Sequence, residues 1–157
     1  MTDPVRGQVG IEGDERVVDA FVQELQRAID TADPVLFNRS FAVDVLWGSP
    51  FGAVVEGYDQ LHAIHARMFG EHASQPGASR YTVEHVRFVA EGVVLAYVRR
   101  QTPHSASADR GPQPGRADTF DELSLFVLVQ REARWWLAAA QHVPDRREVY
   151  ASPSSPV

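Results

Sequence analysis

Residues 125–143, "LFVLVQREARWWLAAAQHV", decide the fold. Two runs of apolar, β-branched and aromatic residues flank Glu132-Ala133, a join so short that the strands on either side must form an antiparallel hairpin. The same texture continues upstream. Arg80–Val89, Val93–Thr102, Phe120–Arg131 and Arg134–Val143 are four β-like runs, and Ala90-Glu91-Gly92 closes the first two into another hairpin. Between the middle two lies "PHSASADRGPQPGRAD", residues 103–118. Its Pro, Gly, Ser and Asp content reads as a mobile loop, since strands resume on its far side.

Before the meander the period changes. Val17, Val18, Phe21, Val22, Leu25, Ala28, Ile29 and Ala32 recur at the spacing of one helical face, with Asp14 placed to cap its start. Asp33-Pro34 interrupts that helix, because the residue before proline is pushed out of the α region. "PVLFNRSF" then reads as a short second helix with Pro34 in its first turn. Val45-Leu46-Trp47 and Ala53–Glu56 suit two short strands around a Gly48-Ser49-Pro50 turn, and "GYDQLHAIHARMF", residues 57–69, has a helical pattern. The expected fold class is α+β, with helices covering one face of a curved antiparallel or mixed sheet. Residues 1–13 read as a flexible N-terminus, 14–144 as one domain and 145–157 as a flexible tail.

Composition narrows the chemistry. A chain of 157 residues fits one domain with enough core to fold alone. Its net charge of −6, without a basic stripe, argues against nucleic acid or an anionic membrane as partner. The absence of cysteine excludes disulfides, thiolate catalysis and any metal site built on sulfur. There is no apolar run of about 18 residues and no signal-like N-terminus, so the expectation is a cytoplasmic protein. No phosphate loop, nucleophile elbow or dinucleotide fingerprint occurs, and no cofactor is expected.

The two histidines of residues 57–69 separate on a helical wheel. At about 100° per residue, His65 falls inside the arc of Leu61, Ile64, Met68 and Phe69, while His62 sits roughly 60° away on its flank. Metal-binding helical pairs usually stand four residues apart, with a third ligand; here the spacing is three. No metal site is expected. A buried neutral His65 could simply bond a backbone carbonyl, or it could serve a ligand.

The order of elements, with the "DVLWGSPFG" turn, the "EGYDQLHAIH" helix start and the closing hairpin, resembles the nuclear-transport-factor-2-like or SnoaL-like superfamily. Within it, the chain is most similar to the SgcJ/EcaC group of bacterial proteins. The resemblance covers about residues 14 to 143, and the loop at 103–118 departs from it. It implies a cone-shaped fold enclosing one hydrophobic cavity, usually in a homodimer, but no single chemistry.

It also implies a histidine at His65 pointing into that cavity, and a convex face at Trp136. Strand alternation then places Gln141 towards the cavity and Trp136 outside, on a homodimer surface formed by the convex sheet face. Asp121 comes out on the cavity side of its strand, near the mouth. Trp47 and Phe51 would offer flat apolar surface to a polyketide-like ligand. Tyr81, His85, Tyr97 and Arg99 are polar candidates on the other strands, with Tyr97 taken as ligand-binding. The expected function is proton-transfer chemistry on a hydrophobic secondary metabolite, as an isomerase, cyclase or cofactor-free oxidoreductase, with His65 and Asp121 as catalytic residues. The alternative is a non-catalytic carrier.

Overall fold

The computed structural model describes residues 2–71, 79–102 and 121–146. The proposed loop at 103–118 lies outside these, as do Phe120 and the tail from residue 147. Among the described residues three helices, α1 (Arg16–Asp30), α2 (Pro34–Asn38) and α3 (Tyr58–Glu71), accompany six strands. The strands are β1 (Phe41–Gly48), β2 (Val54–Glu56), β3 (Arg80–Ala90), β4 (Val93–Gln101), β5 (Glu122–Arg131) and β6 (Arg134–Pro144). They form one sheet in the order β2-β1-β6-β5-β4-β3, antiparallel throughout except where β1 runs parallel to β6.

Local chemistry sets the boundaries. The Asp14 carboxylate accepts from the Arg16 amide at 3.1 Å, while the N-cap position itself falls one residue later, on Glu15. Asp33 caps α2 by accepting from the Leu36 amide at 3.0 Å, which leaves Pro34 where its missing N–H is harmless. The β5–β6 turn places Glu132 and Ala133 at φ 50 and 61, the twisted geometry that matches a two-residue hairpin. At the N-terminus the Ile11 amide donates to the Phe88 carbonyl at 2.9 Å, so residues 10–13 lie along β3. Gln26 of α1 ties down the start of β3, accepting from the Tyr81 amide at 2.9 Å and donating to the Ser79 carbonyl at 2.9 Å.

The helices cover one face of the sheet. Val18, Phe21, Leu25, Phe41, Val45, Leu61, Val94, Val98, Phe126 and Leu137 are buried there, and Phe21 meets Phe126 edge to face at 5.4 Å.

One irregularity controls what faces that core. Between β5 and β6 the register slips at Val127/Leu128: Val127 pairs with Ala139 but Leu128 pairs with Leu137, leaving Ala138 as an extra residue. Such a bulge reverses the side-chain alternation beyond it. Trp135 and Leu137 face the helices and Trp136 the outside, as strict alternation requires. Past Ala138 the parity flips: Ala140 and His142 are buried, and Gln141 and Val143 are exposed.

Candidate functional site

The bulge moves the polar residues of β6 to a different place from the one strict alternation gives. On the helix side, one row across the sheet reads Val83, Val98, Ser124, His142, and the next reads Tyr81, Arg100, Glu122. His142 is 3% exposed. Its Nδ1 lies 2.6 Å from Ser124 Oγ and 3.1 Å from Glu122 Oε1. Arg100 reaches the other Glu122 oxygen at 3.4 Å. Burial would push the Glu122 carboxyl up, but the hydrogen bond from His142 and the Arg100 charge outweigh it and hold the group below its ordinary value. Glu122 is therefore a carboxylate. A carboxylate accepts only, so a neutral His142 places its proton on Nδ1 and leaves a lone pair on Nε2. Among the described residues that Nε2 is buried with no hydrogen-bond partner.

Ser124 and Glu122 both meet the same ring nitrogen. A nucleophilic triad needs them on opposite nitrogens, so Ser124 is not an activated nucleophile in this arrangement. What the group provides is an oriented imidazole, backed by a carboxylate, with its other nitrogen buried and accepting no hydrogen bond among the described residues.

Trp47 joins this group to the helices. Its ring is 4.1 Å from His142 and 4.9 Å from His65, centre to centre, with the His142 ring tilted at 42° and the His65 ring edge to face at 75°. His65 is also walled by Phe37 at 5.0 Å and Phe41 at 6.1 Å. Its Nδ1 is 2.7 Å from the Asn38 side-chain oxygen. His62 lies on the flank, stacked on Tyr58 at 5.5 Å and bonded through Nδ1 to the Asn38 amide nitrogen at 3.0 Å. At the edge of the polar row, burial pushes the Tyr81 phenol up to about 12, so it remains a donor.

The residues singled out from the sequence thus divide. His65 and Trp47 meet in the interior. Gln141 does not: it is on the outer face, its carboxamide lying over Gly48, where an added Cβ would overlap it. The Ala138 bulge is the reason. On β5 the alternation is regular, with Ser124, Phe126 and Leu128 buried and Leu125 and Val127 on the outer face. Asp121 precedes β5 and is tied to the end of β4, one oxygen accepting from the Thr102 amide at 2.8 Å and its hydroxyl at 3.2 Å. It is a strand-end acid, apart from His65. Tyr97 is 42% exposed on the outer face beside His85, and Phe51 is 70% exposed in the β1–β2 turn. Arg99 is also on that face, held by Glu84 and Asp145. Arg100, Glu122, Ser124 and His142 were not singled out. Placing a buried histidine diagonally from a buried glutamate on the neighbouring strand requires the register, which composition does not supply.

His65 also has a measurable signature. Burial, with the His142 and His62 rings nearby, pushes its pKa down to about 3. The unfolded chain takes up this proton near pH 6.5, as an ordinary histidine does. The group's contribution to stability is therefore complete above about pH 6.5 and is lost as pH falls towards 3, at no more than about 1.4 kcal/mol per pH unit. Denaturant midpoints measured from neutral pH down to about pH 4.5 should fall more steeply for the wild type than for His65→Gln. Parallel curves would contradict this burial.

Among the described residues no group of three His, Cys, Asp or Glu side chains could hold a metal, and no helix is long and apolar enough to cross a membrane. No family model and no curated protein matches the chain. Solved structures do. A domain of unknown function with a cystatin-like fold from Nostoc punctiforme is 20% identical, with a TM-score of 0.66 over 87% of this chain and 82% of that one. A ketosteroid isomerase-like protein from Erwinia carotovora is 16% identical, with a TM-score of 0.63 over 90% of this chain and all of that one. Aln2 from a Streptomyces species is 16% identical, with a TM-score of 0.64 over 87% of this chain and 94% of that one. At such identities the likeness carries the fold and no activity. The fold is cystatin-like, of the nuclear-transport-factor-2-like type, as the sequence led us to expect.

Proposed function

We propose that the chain binds a small, largely apolar molecule against Trp47 and moves a proton on it, in the manner of an isomerase or cyclase. One observation carries this reading: the buried, unpartnered Nε2 of His142, backed by the Glu122 carboxylate. In the step proposed, a carbon acid next to a carbonyl gives its proton to Nε2. The C–H electron pair passes into the enolate, and the imidazolium so formed is stabilised by Glu122, which the hydrogen bond from His142 and the Arg100 charge keep ionised. Returning the proton to another atom of the same molecule completes an isomerisation with no oxidant or reductant. His65 is held neutral and is a poor base; its place is to bind rather than to abstract.

The finer assignment to the SgcJ/EcaC group, and to secondary metabolism, is part of this proposal. It draws support from the ketosteroid isomerase-like and Aln2 neighbours, which share the fold. The test is conversion of nitrobenzisoxazole, an apolar carbon acid whose deprotonation releases a coloured phenolate. Turnover that His142→Ala removes supports the enzyme. Retention of the compound without turnover supports a carrier, the second reading, which the neutral His65 favours.

We also propose that the outer sheet face joins two copies of the chain. Leu46, Val54, Tyr97 and Val143 are exposed there, and Leu46, Val54, Leu125, Val127 and Ala139 line an apolar groove of about 280 Å³. Contiguous apolar surface of this kind is characteristic of an interface. Trp136 is on the same side, capped by the Arg134 guanidinium at 4.3 Å from its ring centre. Light scattering should give a dimer mass for the wild type and a monomer mass for Leu125→Asp. A monomeric wild type would overturn the proposal.

A further inference from the structure

The two imidazoles beside Trp47 are held by different devices with the same result. Asn38 is fully buried and engaged at both ends of its carboxamide. Its nitrogen donates to the Pro34 carbonyl at 2.8 Å and to His62 Nδ1 at 3.0 Å. A carbonyl only accepts, so the Pro34 oxygen determines which end of the amide is nitrogen. The amide oxygen is therefore the end that faces His65 Nδ1, at 2.7 Å. Only a ring with its proton on Nδ1 can bond there. A neutral imidazole carries one proton, so His65 Nε2 retains a lone pair, and among the described residues nothing donates to it. Glu122 imposes the same arrangement on neutral His142. The low pKa of His65 means that no second proton arrives at physiological pH.

We infer that this interior recognises its ligand as a hydrogen-bond donor. The class that fits is a hydroxylated aromatic ring lying against Trp47 with its O–H directed at His65 Nε2, and Asn38 is the positioning residue that sets this polarity. The inference rests on the binding reading above and adds the chemistry of the ligand. An ether or quinone of the same shape presents only acceptors. Facing a lone pair, it would leave two buried acceptors unsatisfied, a heavier penalty than a missing contact.

The experiment uses the full chain and three probes of one size: naphthol, its methyl ether and naphthoquinone, with affinities from fluorescence titration. Naphthol should bind at least about tenfold more tightly than either of the others. Long-range nitrogen–proton correlation spectra of the imidazoles should show His65 protonated on Nδ1. In Asn38→Leu the preference and the tautomer should both be lost. Equal binding of the three probes, or His65 protonated on Nε2, would overturn the inference while leaving a binding interior intact. Failure of all three to bind would remove the binding reading, and this inference with it.

Discussion

Replacing Arg99 by methionine is expected to lower the unfolding free energy by about 3 kcal/mol, among the largest effects of any single change on the sheet. Arg99 is on the outer face of β4 but is hardly exposed. Its side chain is 8% accessible, and it meets Asp145, 6% accessible, at 2.8 Å. A second carboxylate, Glu84, takes two further guanidinium donors, one at 2.9 Å. The Asp145 amide in turn donates to the Asp121 carbonyl at 2.7 Å, so the ion pair clamps the end of β6 against β4 and the start of β5.

Methionine keeps much of the aliphatic stem and removes the guanidinium. The buried Asp145 carboxylate then loses this counter-ion, and the weaker compensation of its charge is the origin of the loss. Glu84 is 28% exposed and can turn to water, which keeps the expected value at the lower end of the range for a broken buried pair. For a chain of this size, 3 kcal/mol corresponds to a fall in Tm of about 6–12 °C. Adding Asp145→Asn to Arg99→Met should recover part of it, because the buried charge that Arg99 helped to compensate is then gone. The pair Arg80–Asp30 offers a contrast. It spans 3.2 Å but is exposed on both sides, and Arg80→Met should change stability by less than about 1 kcal/mol. Chemical denaturation of the variants decides the matter. A loss below about 1 kcal/mol for Arg99→Met would mean that the clamp contributes no more than a surface pair.

How far the sequence alone reaches depends on the link in question. Element order was legible because period and punctuation are local: the α1 stripe, Asp33-Pro34, the Glu132-Ala133 turn and the four long strand runs each announce themselves within a few residues. The burial of His65 was legible for the same reason, as a position on a helical wheel. Trp47 was legible as the flat apolar residue leading into that helix. The facing of the strands was not. Ala138, Ala139 and Ala140 are identical, so nothing in the run marks which of them is extra, and parity carried past the bulge sends Gln141 inward and His142 outward. The partnership of Glu122 with His142 and Arg100 is a diagonal contact across three strands. It exists only once the register is fixed.

The facing of Tyr97 was illegible for a related reason. Its strand is covered by apolar residues on either face, where alternation gives two equivalent answers and only the sign of the sheet's curvature chooses between them, and Asp121 stands just ahead of a strand of the same kind.

His142→Ala is expected to lower the rate of proton abstraction from nitrobenzisoxazole by about 10²–10⁴-fold, with the affinity for the compound changed by no more than a few-fold. Nε2 holds no hydrogen bond of the fold among the described residues, so its removal breaks none on that side of the ring. Nδ1 does have partners, Ser124 and Glu122, and losing them leaves a buried carboxylate facing Arg100 alone. Some loss of stability is therefore expected, and the rates must be compared on variants shown to be folded. Added imidazole provides the control: if the space left by the ring admits it, activity should return in proportion to its concentration, whereas a general disturbance of the fold would not respond. Glu122→Gln keeps the shape but removes the charge that stabilises the imidazolium, and it should reduce the rate by a smaller factor than His142→Ala. Ser124→Ala should have the least effect of the three, because the hydroxyl shares Nδ1 and never reaches the reacting proton. A His142→Ala protein that binds the probe and converts it at the wild-type rate would dismiss His142 as the base.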